Sequence, residues 1–227
     1  MSAETWWQRP RTISVVVDTP GWFDPFAERL VESLSEAGDD AGLYRSSADV
    51  PEGAIAFYLS CTRLVANDVL ARNRLNVVVH ASDLPRGRGF SPIVWQILEG
   101  RSEIPITAIV AAEGADTGDV LMRSSLSFEG HELNDVLRDR LGEEILRMCL
   151  ALVNSPAPPE ATPQVGEPTW YRRRGPEDSR LDPTQSIEQQ FELLRVVDNE
   201  RYPAFFELRG RRFALKIEDV GPAEDVS

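Results

Sequence analysis

A histidine at the end of an apolar run is the first residue of this chain on which chemistry can be placed. In LNVVVHASDLPRGRGFSP, residues 75–92, three consecutive valines lead to His80 and then to a loop rich in proline and glycine. An imidazole there can act as general acid, general base or cationic hydrogen-bond donor. Val77, Val78 and Val79 are β-branched and suit a strand buried on both faces of a parallel sheet, with His80 as its last residue. Ligands of open α/β sheets bind beyond the carboxyl ends of the strands, so His80 is expected to face the substrate crevice. Pro85 and Pro92 bracket Gly87 and Gly89, which stiffens the ends of the loop and lets backbone N–H groups in its middle approach a ligand. His131 reads as a surface or helix-start residue. Cys61 and Cys149 are too few for a disulfide framework and wrongly spaced for zinc, so both read as buried reduced thiols and no metal is expected.

The elements that must position His80 follow from the patterning. Thr12 to Asp18 reads as a first buried strand, turning at Thr19-Pro20-Gly21-Trp22 into a helix around residues 26–37. One glycine in that turn cannot supply a dinucleotide fingerprint. A short edge strand is expected over 42–46 and a stronger one over 54–59, followed by a helical pattern with Leu64, Val65, Val69 and Leu70 apolar. After the central loop come a helix over 91–100, a strand over 104–110, the loop EGADTGD at 113–119, and a half-exposed strand over 120–128. His131 opens an amphipathic helix to about Val153, with Leu133, Val136, Leu137, Leu141, Ile145, Met148 and Leu152 on one stripe. Five of the sixteen prolines fall in residues 155–168, which reads as a linker. TWYRRRGPEDSRLD, residues 169–182, reads as a solvated turn or, more sharply, as Arg172, Arg173 and Arg174 gripping a phosphorylated ligand. A helix over 186–197 and a hairpin across Arg209-Gly210-Arg211 close the chain. The organisation expected is a core over 1–154, a linker over 155–168 and an extension over 169–227.

The 227 residues suffice for one full-sized domain with a small appendage. A net charge of −13 argues against a phosphate-rich polymer as partner, because nucleic-acid binding draws on Lys and Arg. The polar start and the absence of any long apolar run point to a cytoplasmic chain with no membrane segment.

The central segment resembles the 10-formyltetrahydrofolate-dependent formyltransferases, whose signature runs Asn, any residue, His, any, Ser, any, Leu-Pro, then a Gly- or Arg-Gly-containing loop. His80, Ser82, Leu84, Pro85, Arg88 and Gly89 match it, and Asp116-Thr117-Gly118-Asp119 fits the second family motif. The tail, with PEDSRLD and YPAFF, is similar to the extension of sugar and methionyl-tRNA formyltransferases, so the likeness spans nearly the whole chain. One position departs: the family's Asn is Val78 here. The resemblance implies a Rossmann-like, mostly parallel doubly wound α/β sheet with a C-terminal helix and hairpin, and 10-formyltetrahydrofolate as formyl donor.

Carried over by position, the likeness assigns oxyanion stabilisation to His80 and acid–base work to Asp116. It assigns folate contacts to the main chain of Thr62, Arg63 and Leu64 and to Glu113, Gly114, Asp116 and Asp119. The acceptor side falls to Asp18, Trp22, Ser82, Arg88 and Gly89. Plainer readings stand beside these: Asp18 as a turn cap, Trp22 as packing, Ser60 or Thr62 as a helix cap. Losing the Asn donor costs about 3–4 kcal/mol of barrier lowering, and Asn76, about 13 Å from His80 at the strand rise, cannot replace it. A side chain from another loop or an N–H within Ala81–Asp83 can. The acceptor expected is a nucleotide-linked amino sugar; methionyl-tRNA, a carrier-bound amino acid and a non-catalytic binding protein are the rivals. A homodimer through the C-terminal elements is expected by analogy.

Overall fold

The apolar runs that lead to Asp18, Leu59 and His80 lie side by side at the centre of one sheet. In the computed structural model, residues 5–222 are described; residues 1–4 and 223–227, the outer ends of the expected core and extension, lie outside the described residues. The strands are β1 (Thr12–Val16), β2 (Asp40–Tyr44), β3 (Gly53–Tyr58), β4 (Asn73–His80), β5 (Arg88–Gly89), β6 (Glu103–Val110), β7 (Val120–Ser127), β8 (Trp170–Tyr171), β9 (Ala204–Leu208) and β10 (Arg211–Leu215). The helices are α1 (Asp24–Glu36), α2 (Asn67–Leu70), α3 (Pro92–Leu98), α4 (Asn134–Val153) and α5 (Phe191–Val196). The main sheet has six strands in the order β2-β1-β3-β4-β6-β7. The ladders β1–β2, β1–β3 and β3–β4 are parallel, whereas β4–β6 and β6–β7 are antiparallel. The fold is thus the Rossmann-like, mostly parallel sheet expected, with an antiparallel edge.

Side-chain alternation divides the core between the two faces of the sheet. Val15 and Val17 pack with Phe26 and Leu30 of α1 and with Leu141 and Ile145 of α4. Val16 and Tyr58 point the other way, onto Val50 and Val69. Along α4, Leu137, Leu141, Ile145, Met148 and Leu152 are buried, but Val136 is exposed. The extension docks on this core: Val196 joins Ile97 and Leu137, and buried Arg195 pairs with buried Glu132 at 3.2 Å.

Several expected elements differ. The helix after β3 shrinks to the single turn α2, because Ser60 is in the left-handed region (φ 52°) and residues 61–66 form a loop. Helix α4 starts at Asn134, not His131, since Glu132 turns back to accept the N–H groups of Glu129 and Gly130. The C-terminal helix begins only at Phe191, after a 3-10 turn over Glu188–Gln190. The hairpin turn has two central residues, Arg209 and Gly210, both with positive φ (53° and 72°), the geometry that matches the strand twist, so β10 begins at Arg211. The proline-rich stretch is not free of pairing, since Thr162 bridges Val120, and just beyond it β8 pairs in parallel with β5.

Candidate active site

Strand β4 delivers His80 nearly buried, at 8% exposure, into the wall of a cavity of about 650 Å3. Its Nε2 lies 2.8 Å from the carbonyl oxygen of Gly87. A carbonyl only accepts, so Nε2 carries a hydrogen and Nδ1 is the nitrogen left for chemistry. Nδ1 stands 3.5 Å from Asp116 Oδ1, and the other Asp116 oxygen accepts the N–H of Gly89 at 2.8 Å. The two sequence motifs therefore meet, although His80 ends strand β4 and Asp116 lies on a separate loop.

The glycines of both motifs are needed for that approach. A Cβ on Gly118 would stand 1.7 Å from the carbonyl oxygen of Val110, so any side chain there pushes the Asp116 loop off the sheet. A Cβ on Gly89 (φ +101°) would stand 2.4 Å from the carbonyl oxygen of Tyr171, across the β5–β8 pair. Asp116 itself adopts a left-handed backbone, φ 54°, a conformation that Asp tolerates better than most residues.

The other expected site residues divide. Trp22, Thr62, Arg63, Leu64, Gly89 and Gly114 line the cavity. Asp18 does not; it accepts the N–H groups of Thr62 (2.9 Å) and Arg63 (2.9 Å), so it shapes the loop, and those two donors are already committed. Ser82 and Arg88 also lie off the cavity. Ser82 is buried, its hydroxyl without a partner among the described residues and its N–H donated to the His80 carbonyl. That last bond removes Ser82 N–H as a substitute for the missing Asn. Arg88 donates from Nη2 to Gln164 at 2.7 Å. Glu113 and Asp119 are exposed and do not line the cavity. Val78 does line it, packed with the cluster of Leu84, Ile109 and Val120. Asn76 is buried and donates to the Leu70 carbonyl at 2.8 Å.

Of the three arginines read as a phosphate grip, one reaches the cavity. Arg172 forks onto Asp178 and lies over the Trp95 ring; Arg173 lies over Phe90. Arg174 lines the cavity, its pKa pulled down by burial, with Nη2 donating to the Asp178 carbonyl at 2.8 Å. Burial pushes the Cys61 thiol and the Tyr58 phenol, both in the cavity wall, up to about 12, so both stay protonated at neutral pH. Gln164, in the proline-rich stretch, carried no signal in the sequence, and Tyr202, in the cavity wall, was marked only as the start of the YPAFF segment.

Comparison with known proteins agrees with this geometry. Residues 49–149 match the family described as Formyl transferase, a span that contains His80 and Asp116. A methionyl-tRNA formyltransferase of Anaeromyxobacter dehalogenans is 33% identical over 172 residues, 73% of this chain and 53% of that protein. The chain thus spans about half the length of that relative. Among solved structures, a methionyl-tRNA formyltransferase from Clostridium thermocellum superposes with a TM-score of 0.78 at 24% identity, covering 92% of this chain and 93% of that one. HypX from Aquifex aeolicus in complex with tetrahydrofolic acid gives 0.72 at 16% identity, covering 92% and 38%. A sugar N-formyltransferase from Shewanella gives 0.65 at 14% identity, covering 95% and 99%. At these identities the superpositions speak to a shared fold. With the two motifs brought together inside the matched span, residues 49–149 form a formyl transferase domain.

Proposed function

We propose that this chain moves a formyl group from 10-formyltetrahydrofolate to the primary amine of a nucleotide-linked amino sugar. The observation that carries the reading is the 3.5 Å approach of His80 Nδ1 to Asp116 Oδ1 at the wall of a cavity of about 650 Å3. That volume suits a small ligand, and the lining joins apolar side chains to a few polar groups. Thr62, Arg63 and Leu64 on one loop and Gly114 and Asp116 on another line it, which fits part of the folate contacts that the resemblance assigns, with the carbonyls of Thr62 and Arg63 left for a ligand while their N–H groups bind Asp18. The folate supplies a formyl carbon bonded to nitrogen.

The chain's own groups supply the rest. With Nε2–H held by Gly87, a protonated His80 directs Nδ1–H toward negative charge developing on the formyl oxygen. The Asp116 carboxylate beside it takes the proton that the attacking amine releases. Returning that proton to the departing nitrogen balances the transfer. Val78 contributes no donor, so His80 carries the charge without the second side-chain donor of the family pattern.

Support for a sugar acceptor is the acidic balance of the chain, the single cavity-facing Arg174 of the arginine cluster, and the fold shared with a sugar N-formyltransferase. Methionyl-tRNA is the second reading, favoured by the name of the 33% identical relative and disfavoured by a net charge of −13. One assay separates them: release of tetrahydrofolate is followed with a panel of nucleotide-linked amino sugars and with charged initiator tRNA. Turnover with a sugar supports the proposal; formylation of the tRNA alone replaces it with the second reading; no release with either removes both acceptors.

A further inference from the structure

The stretch over 155–168, proline-rich and read as a linker, passes beside both motif loops. At one end Thr162 and Val120 exchange backbone hydrogen bonds of 2.7 and 2.9 Å, at the exit of the Asp116 loop. At the other end the Thr169 hydroxyl accepts the N–H of Gly87 at 2.8 Å, and the Thr169 carbonyl accepts that of Arg88 at 2.9 Å. Between these ends lies Gln164. Its Nε2 donates to the carbonyl oxygens of Asp116 and Gly118, both at 2.8 Å, and its Oε1 accepts from Arg88 Nη2 at 2.7 Å. The amide can be oriented in only one way, because two carbonyls require its donors and a guanidinium requires its acceptor.

Resting on the formyl-transfer reading, we propose that Gln164 is a positioning residue that sets the Asp116 carboxylate against His80. Gln164 does not line the cavity, so it acts through Asp116 rather than on a ligand. The left-handed backbone of Asp116 (φ 54°) is a conformation the loop does not favour alone, and the Gln164 bond to its carbonyl holds that peptide in place. The other end of the amide anchors to Arg88, one residue before Gly89, whose N–H holds the Asp116 carboxylate. One side chain thereby joins the loop of the imidazole to the loop of the carboxylate.

The discriminating variant is Gln164→Glu. It keeps the volume and the acceptor for Arg88 but turns both donors into a carboxylate that repels the two carbonyl oxygens. Shifting a reacting group by about an ångström costs up to about 100-fold in rate, so kcat is expected to fall about 10- to 100-fold with KM for the formyl donor within about threefold. In an Asp116→Asn background the same change should alter kcat less than about twofold, since the group it positions is already gone. Hydrogen exchange of residues 113–119 should rise in Gln164→Glu while that of β4 stays put. A kcat unchanged by Gln164→Glu, effects of the two substitutions that multiply, or unaltered exchange at 113–119 would each overturn the proposal. Should the native protein release no tetrahydrofolate from any acceptor, the formyl-transfer reading fails, and the exchange measurement alone decides whether Gln164 holds the loop.

Discussion

Asp39 and Asp116 each sit beside a basic side chain, and they differ in how completely they are satisfied. Asp39, 6% exposed, accepts from the N–H of Arg11, from its Nε and Nη2 at 3.0 and 2.7 Å, and from Arg9 Nε at 2.9 Å. Arg11 is equally enclosed and also donates to the Val153 carbonyl at 2.8 Å. Burial alone would push the Asp39 carboxyl up, but hydrogen bonds from Arg11 and Arg9 outweigh it and hold the pKa below the usual 3.8. Asp116 has one firm bond, from Gly89 N–H, and a histidine at 3.5 Å across the edge of a cavity. A saturated pair keeps its proton assignment and serves the fold. A pair left with hydrogen-bonding capacity unused beside a cavity can still bind a ligand, and that incompleteness is why the proposed chemistry is placed there.

The contrast can be broken by experiment. The largest effect is expected at the open pair: His80→Asn and Asp116→Asn should each lower formyl transfer about 10²–10⁴-fold with little change in thermal midpoint, measured by tetrahydrofolate release and calorimetry. Comparable loss of stability with intact turnover would make this pair structural as well. Next, Asp39→Asn should destabilise the protein by about 3–5 kcal/mol in denaturant titration, because it strands Arg11 without a counter-charge, while kcat of the folded fraction stays native. The same pair fixes an acid limb. Since folding depresses the Asp39 pKa, its contribution is fully present above the unfolded value and fades as pH drops through the lower folded one. Stability of the native protein should thus fall below pH 3.8, and the Asp39→Asn variant should lose part of that slope. The smallest effect sharpens the open pair: Val78→Asn restores the family's donor and is expected to raise kcat about tenfold at some cost in stability, since the amide enters the apolar cluster with Leu84 and Ile109. A fall in kcat would mean that this chain stabilises the developing charge in another way.

Much of the frame was legible because it is local and periodic. The runs ending near Asp18, Leu59 and His80 announce buried strands, and they are the adjacent parallel strands β1, β3 and β4. The stripe of α4 was readable by the same means, apart from exposed Val136. The helix expected after β3 failed for a physical reason: Asp18, just beyond β1, accepts the N–H groups of Thr62 and Arg63 and pins a loop where apolar spacing alone suggested a helix. Arg88 matched a motif residue, yet it turns away from the cavity to Gln164, 76 positions along the chain.

The sequence by itself determined which runs form the buried strands and which two motifs carry an imidazole and a carboxylate, since side-chain period and motif composition are properties of neighbouring residues. Only the tertiary structure decided that Nδ1 rather than Nε2 of His80 faces Asp116, that Asp18 and Arg88 serve loops instead of the cavity, and that a proline-rich stretch ties both motif loops together. Those outcomes depend on hydrogen bonds from His80 to Gly87 within one motif and, for the rest, between positions tens of residues apart, and such pairings leave no periodic trace in the chain that makes them.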